Sequence, residues 1–477
     1  MMKSIVVFTS FAVCFALSLV GHASSTDRMV IDGLIRDRVL WRPDHTAPSP
    51  ELGVEMKREV EIDTNVAMQS LTDGAFIEAT FFNEPFLIRF DRTQSGSPGV
   101  ITYVGSLFND SFEKLDGSIL LTIGGGTAFG LIKSPQSTYL ISPSPEHTDD
   151  SYVLRKMKPS AAPGITDFPE LNPQDFNDAE LDLTASMDET PVPMAVSCCT
   201  TDVLVMYTPT VRGNLGGTSA TVNWINTIIA DFNQKLAELG LSTNSLALSA
   251  ALETSWPTIP TTYHENTTHN GANACYAGYC DSLVADQYWL ATNASIAGLR
   301  NQYSADLVVL ITADSRKHVS DFAHGFADFK NPSYAPLLHG GACGGTGRRC
   351  GEFITVRDAY ALSNLTFHHE TGHAFGMAHN DGVTSFGYYS NGSEQLSNGS
   401  DLKPFTIMSV NSSNNSICLW SSNTSSPSCQ VRLPFFEDKY QFRNMYYSGA
   451  PTPRKFSPTK HAEDQIIPGM QWLGARR

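Results

Sequence analysis

At 477 residues the chain is long enough for two or three domains and too long for one compact domain to be expected. A charged fraction of 17% beside 10% aromatic residues excludes a disordered or coiled-coil protein. A net charge of −16 argues against nucleic acid or an anionic membrane surface as partner. In chain order, residues 1–23 read as a secretory signal peptide: Lys3, an apolar run from Ile5 to Val20, then small residues at Gly21 and Ala23. No other stretch is long and apolar enough to span a bilayer, so a secreted, extracellular protein without a membrane anchor is expected. Cys14 leaves with the signal. The other eight cysteines, at 198, 199, 275, 280, 343, 350, 418 and 429, suit disulfides in an exported chain, with 105 connectivities open. Three close pairs (275/280, 343/350, 418/429) suggest local loops.

Residues 24–160 are strand-like, with short apolar runs such as Phe86-Leu87-Ile88-Arg89-Phe90 and Ser118-Ile119-Leu120-Leu121-Thr122-Ile123 broken by Gly, Pro, Asn and Asp. This predicts a β-rich domain without a metal cluster or a partnered nucleophile, with an accessory binding domain retained in the mature protein as the alternative to a propeptide. Residues 161–197 form an acidic linker: eight acidic residues and no basic one lie between Thr166 and Thr190. Such a segment buries too little apolar surface to order itself, and exposed linkers are where proteases cut. Cleavage is expected between Ser160 and Ser197.

From Asp202 the pattern becomes α/β. Buried strands are predicted at Val203 to Tyr207, Leu246 to Leu252, Asp306 to Ile311 and Phe353 to Val356. Helices are predicted over Val222 to Leu239, where apolar residues recur at helical spacing before Gly240, and over Ser282 to Gln302. His318, His324 and His339 have no ligand spacing, and the glycine-rich run at 340–347 lacks the ending of a phosphate loop.

The densest chemistry lies at His369-Glu370-Thr371-Gly372-His373, continued by Gly376 and His379. Histidines four apart on a helix project from one face and can reach one metal ion. Gly376 is the residue type that ends a helix in a left-handed turn, which lets His379 swing back as a third ligand. Three nitrogens leave one coordination position open, the arrangement of catalytic rather than structural zinc. Glu370 is then the general base for a water at that position. His368 points about 100° round the helix and is not expected to bind the same ion. The tail, 453–477, holds no second catalytic cluster.

The extended pattern resembles that of the metzincin zinc endopeptidases, in a reprolysin-like secreted bacterial branch. The resemblance covers about 200–452. It implies an α+β fold: a metzincin-like catalytic domain at 198–452, with a twisted mixed sheet, two long helices and an active-site helix, behind a β-rich propeptide at 24–160. It assigns Met408 to a methionine turn beneath the zinc ligands. It also implies an edge strand that holds extended substrate, with Phe322 to Phe329 as the candidate. In some members a tyrosine two residues after the methionine joins the metal; here that position is Val410. Asn380 intervenes before Asp381, where reprolysin-like members often place aspartate directly after the third histidine.

The implied activity is that of a zinc-dependent endopeptidase made as a zymogen, acting on protein or peptide substrate, with its own propeptide as inhibitor. Residues 24–197 contain no cysteine to hold the zinc, so latency would rest on a carboxylate or on occlusion of the cleft. Two other readings stay open: an exported zinc-binding module without catalysis, such as a pseudo-protease or adhesin, and a zinc hydrolase of a non-peptide amide. The presence of Glu370 argues against the first, since a binding module has no need of a base. The loop at 409–440 is expected to shape the specificity pocket.

Overall fold

The computed structural model describes residues 54–157 with short gaps, 200–254 throughout, most of 293–313 and 352–377, and short strands or single residues elsewhere. The signal segment 1–23, the linker beyond residue 162, the segment 328–351 and all of the tail but Met470 lie outside the described residues.

The first nine strands are β1 (Ile35–Asp37), β2 (Val54–Ile62), β3 (Phe76–Phe81), β4 (Glu84–Ser95), β5 (Val100–Phe108), β6 (Lys114–Gly124), β7 (Thr127–Lys133), β8 (Thr138–Pro143) and β9 (Ser151–Met157). They form one antiparallel sheet in the order β1-β2-β9-β8-β7-β6-β5-β4-β3, a meander from β3 to β9 that curls into a half-barrel. Side chains alternate between the faces of a strand, and here both faces are used. Ile119, Leu121 and Ile123 of β6 join Tyr103, Ile132 and Tyr139 in the core of the curl. Leu120, with Val104 of β5 and Phe129 and Leu131 of β7, points the other way into a second core.

That second core belongs to the rest of the chain. After β10 (Ser160–Ala162) come β11 (Thr200–Tyr207), α1 (Pro209–Leu215), α2 (Thr218–Glu238) and β12 (Ser245–Glu253). Thr208 caps α1, its Oγ1 accepting from the Val211 N–H at 3.5 Å, and Pro209 occupies the first turn, where a missing N–H costs nothing. Two short hairpins follow, β13 (Thr268–His269) with β14 (Ala272–Asn273), and β15 (Cys275–Tyr276) with β16 (Tyr279–Cys280). The second sets Cys275 opposite Cys280 in register. Then come α3 (Ala294–Gln302), β17 (Leu307–Thr312), β18 (Gly325–Ala327), β19 (Phe353–Arg357), α4 (Asp358–Ala361) and α5 (Thr366–Ala374). The last strands are β20 (Glu394–Gln395), β21 (Asp401–Phe405), β22 (Ile417–Leu419) and β23 (Gln430–Arg432).

A five-stranded sheet in the order β12-β11-β17-β19-β18 is parallel except for β18, which runs antiparallel at one edge. β17, Leu-Val-Val-Leu-Ile-Thr, is buried along its whole length, as a central parallel strand must be. Another sheet, β10-β22-β23-β21-β20, joins the end of the N-terminal region to strands after residue 394. Helix α2 lies between the half-barrel and the parallel sheet. Among the described residues no helix is long and apolar enough to cross a membrane.

These findings correct the expected fold class, an α+β metzincin-like domain behind a β-rich prodomain. Strand dominates, and the largest unit is the curled antiparallel half-barrel. Only α2, at 21 residues, exceeds nine residues among the described helices. The physical reason lies in strand length and two-faced burial. Strands of up to 12 residues, apolar on both sides at β5 to β7, make the N-terminal sheet a principal layer rather than an appendage. The helical spacing over 282–302 yields a continuous described helix only from Ala294, where Asn293 caps it by accepting from the Ser295 N–H.

Candidate metal centre

Helix α5 is buried on all sides, every residue from Thr366 to Ala374. It starts at Leu365, whose φ of 57° is a conformation bulky residues rarely adopt. Phe232 of α2 meets it through ring contacts with Phe367, His368 and Phe375 at 5.4–6.2 Å. At its far end the Met377 N–H donates to the Gly372 carbonyl at 2.9 Å. This is the six-to-one bond of a Schellman ending. Gly376 itself, like His379, lies outside the described residues.

His369 and His373 face each other, with their Nε2 atoms 3.0 Å apart and ring planes at 89°. His369 Nδ1 lies 2.6 Å from the Ile407 carbonyl and His373 Nδ1 2.7 Å from the Met377 carbonyl. A carbonyl only accepts, so each Nδ1 carries the hydrogen and, in the neutral ring, each Nε2 presents a lone pair. Two lone pairs directed at one another in a buried site repel, and a cation between them removes the repulsion. The donor set therefore fits a metal ion bound through both Nε2 atoms, oriented by carbonyls on the opposite ring nitrogens. Among the described residues no group of three or more potential ligands is assembled.

Ile407 and Met408 form a turn below the helix, and both are fully buried. Gly372 is what lets them approach: a Cβ there would lie 2.3 Å from the Met408 Sδ. Glu370 is fully buried as well. It lies against the backbone of β18, where a Cβ on Gly325 would fall 2.4 Å from Glu370 Oε1. The base candidate is thereby set beside the edge strand of the five-stranded sheet, inside the stretch from Phe322 to Phe329.

Residues 307–429 match the model of one protein family, Peptidase M66. The stretch runs from β17 to Cys429 and contains the whole histidine pattern. The match supports a metallopeptidase. It spans less than half of the chain. No curated protein matches. Among solved structures, a chaperone–substrate complex is similar at 16% identity and a TM-score of 0.32, covering 59% of this chain and 35% of that one. The chain thus spans about a third of that protein's length. Metalloproteinase II from Bacteroides fragilis is similar at 12% identity and a TM-score of 0.33, covering 67% and 85%. At these scores neither likeness bears on fold or activity.

Behind the candidate metal centre lies a polar cluster that the apolar pattern of the sequence does not reveal. His368, fully buried on the far face of α5, places its Nε2 3.2 Å from Asp231 Oδ2. Lys133 Nζ, reaching across from β7, donates to both Asp231 oxygens at 2.8 and 2.7 Å. Burial works to raise the Asp231 carboxyl, yet Lys133 and His368 together hold it well below the ordinary carboxylate range. Burial lowers both bases in turn, Lys133 and His368, against the opposing pull of Asp231. A signal existed: Asn223, Thr227 and Asp231 stand at i, i+4 and i+8, a polar stripe running beside the apolar residues Trp224, Ile228 and Phe232. His318, His324, His339 and the glycine-rich run at 340–347 lie outside the described residues.

Proposed function

We propose that the chain is a secreted zinc endopeptidase of the metzincin type of active site, made as a precursor, with zinc held by His369, His373 and His379 and Glu370 as general base. The observation that carries this reading is the facing pair of Nε2 atoms, 3.0 Å apart with their Nδ1 hydrogens committed to carbonyls, next to a buried glutamate. When bound, zinc supplies Lewis acidity toward a substrate carbonyl and a water. Glu370 accepts the proton of the attacking water and passes it to the departing amine nitrogen. His369 and His373, fixed by Ile407 and Met377, hold their donor atoms without rearrangement. The backbone of β18 offers an extended peptide a strand to pair with beside Glu370, the mode of β-strand addition. The chemistry of that edge is main-chain recognition, which suits a protein substrate.

The test compares purified wild type with Glu370→Ala on casein. Chelator-sensitive fragments from the wild type are expected, with activity lost in the variant while zinc, measured by atomic absorption, stays near one per chain. A fully active Glu370→Ala protein would refute the role of the base. A wild type that binds zinc yet leaves casein intact would favour a non-catalytic module or a non-peptide amide as substrate.

A further inference from the structure

Helix α2 meets the N-terminal sheet as if the two belonged to one domain. Val104, Leu120, Phe129 and Leu131 of the sheet share a buried cluster with Trp224 and Ile228 of the helix. Each step of the polar stripe is met in turn. The Asn223 side chain donates to the carbonyls of Gly124 and Thr127 at 3.0 and 2.9 Å, Thr227 Oγ1 lies 2.7 Å from Thr122 Oγ1, and Asp231 takes Lys133. The β6–β7 turn fits so closely that a Cβ on Gly125, itself at φ +58°, would stand 2.6 Å from Ser219 Oγ. Asp231 has a side chain only 1% exposed and that of Lys133 is 14% exposed. Parting the helix and the sheet would expose the apolar side chains of both faces to water and break these hydrogen bonds, which is unfavourable. A second attachment is main-chain: β10, just before the linker, ladders onto β22. These contacts run to the His368 side of α5, away from the facing pair His369 and His373.

We infer that the N-terminal sheet is a retained half of the protein and not a leader that departs: a cut within 163–199 yields a two-chain protein, held by α2, by the Lys133–Asp231 pair and by the β10–β22 ladder. The occupant of the outer face of α2 is then the chain's own N-terminal fragment, before and after processing.

The experiment replaces residues 175–181 of the full chain with the recognition sequence of a site-specific protease, cuts to completion, and runs size-exclusion chromatography with and without concentrated urea. One native peak holding both fragments is expected, and two peaks in urea. Two native peaks with a soluble C-terminal fragment overturn the inference, and so does precipitation of that fragment, because a docked pair stays in solution. In Lys133→Met the apparent Kd of the cut pair, read by dilution, is expected to rise on the order of 100-fold, and adding Asp231→Asn is expected to recover part of the loss. An unchanged Kd removes Lys133 from the account. If Lys133→Met fails to fold, the linker cut in the chain that keeps Lys133 still decides the main claim. None of these readouts needs peptidase activity, so a chain inert toward casein leaves the test standing.

Discussion

A methyl group on residue 325 would sit 2.4 Å from Glu370 Oε1 and 2.5 Å from Thr366 Cγ2, so the glutamate can keep its place only while position 325 is glycine. Gly325→Ala is therefore expected to push Glu370 aside. A displacement of about 1 Å at a reacting group costs roughly 100-fold in rate, so kcat on casein should fall by about that factor while zinc content is unchanged. A variant with wild-type kcat would show that the base is not set by β18. Spacing along a helix is local, and so His369, Glu370 and His373 stand out in the sequence as a ligand pair with a base between them. The meaning of Gly325 is tertiary: 45 residues earlier in the chain, it becomes readable only once β18 lies against α5. The same holds for His368, whose orientation away from His369 and His373 follows from helix geometry but whose partner, Asp231, does not.

At the scale of the element, α5 and the Ile407–Met408 turn lock together through one missing side chain. In Gly372→Ala the new Cβ would meet the Met408 Sδ at 2.3 Å and the Met377 Cε at 2.8 Å. Overpacking of this kind costs about 1–3 kcal/mol. Chemical denaturation should show that loss, and Gly372→Ala combined with Met408→Ala should lose less than the sum of the single variants, since the two sites share the same space. Strict additivity would place Met408 elsewhere.

Helix α2 supports a second prediction at this scale. The Asp231 carboxyl is held below the ordinary range, so its contribution to stability is present above the unfolded value, about pH 4, and is lost as pH falls toward the folded one. The thermal midpoint of the wild type should drop more steeply between about pH 4 and pH 2 than that of the Lys133→Met/Asp231→Asn double variant. Parallel curves would remove this pair as the cause. Reading α2 by its apolar period alone located the helix within a few residues of Thr218–Glu238. The stripe Asn223, Thr227, Asp231 is invisible to that period, because polar residues on a helix are ordinarily assigned to solvent.

The whole molecule is decided by which faces of the N-terminal strands are covered. Short runs broken by turn residues correctly mark strands such as β4 and β6, yet the same runs carry a second message. In Ser118-Ile119-Leu120-Leu121-Thr122-Ile123 the face opposite Ile119, Leu121 and Ile123 carries Leu120, buried like them, where a sheet wet on one side would put a polar residue. Such a strand needs a layer on each face, and the second layer is α2. The catalytic half hidden under that layer is accordingly expected to be incomplete alone. Leaving Val104, Leu120, Phe129 and Leu131 out of the second core removes four buried side chains at roughly 1.5–3 kcal/mol each, an upper bound. That total is comparable with the whole stability of a domain, about 5–15 kcal/mol. A fragment of residues 198–477 produced without the sheet should therefore bind a hydrophobic dye, lack a cooperative thermal transition and fail to cleave casein. Refolding it together with a separately produced fragment of residues 24–162 should restore the transition. A cooperative 198–477 monomer that melts where the full chain does would mean that α2 needs no cover, and that the two-faced strands serve some other contact.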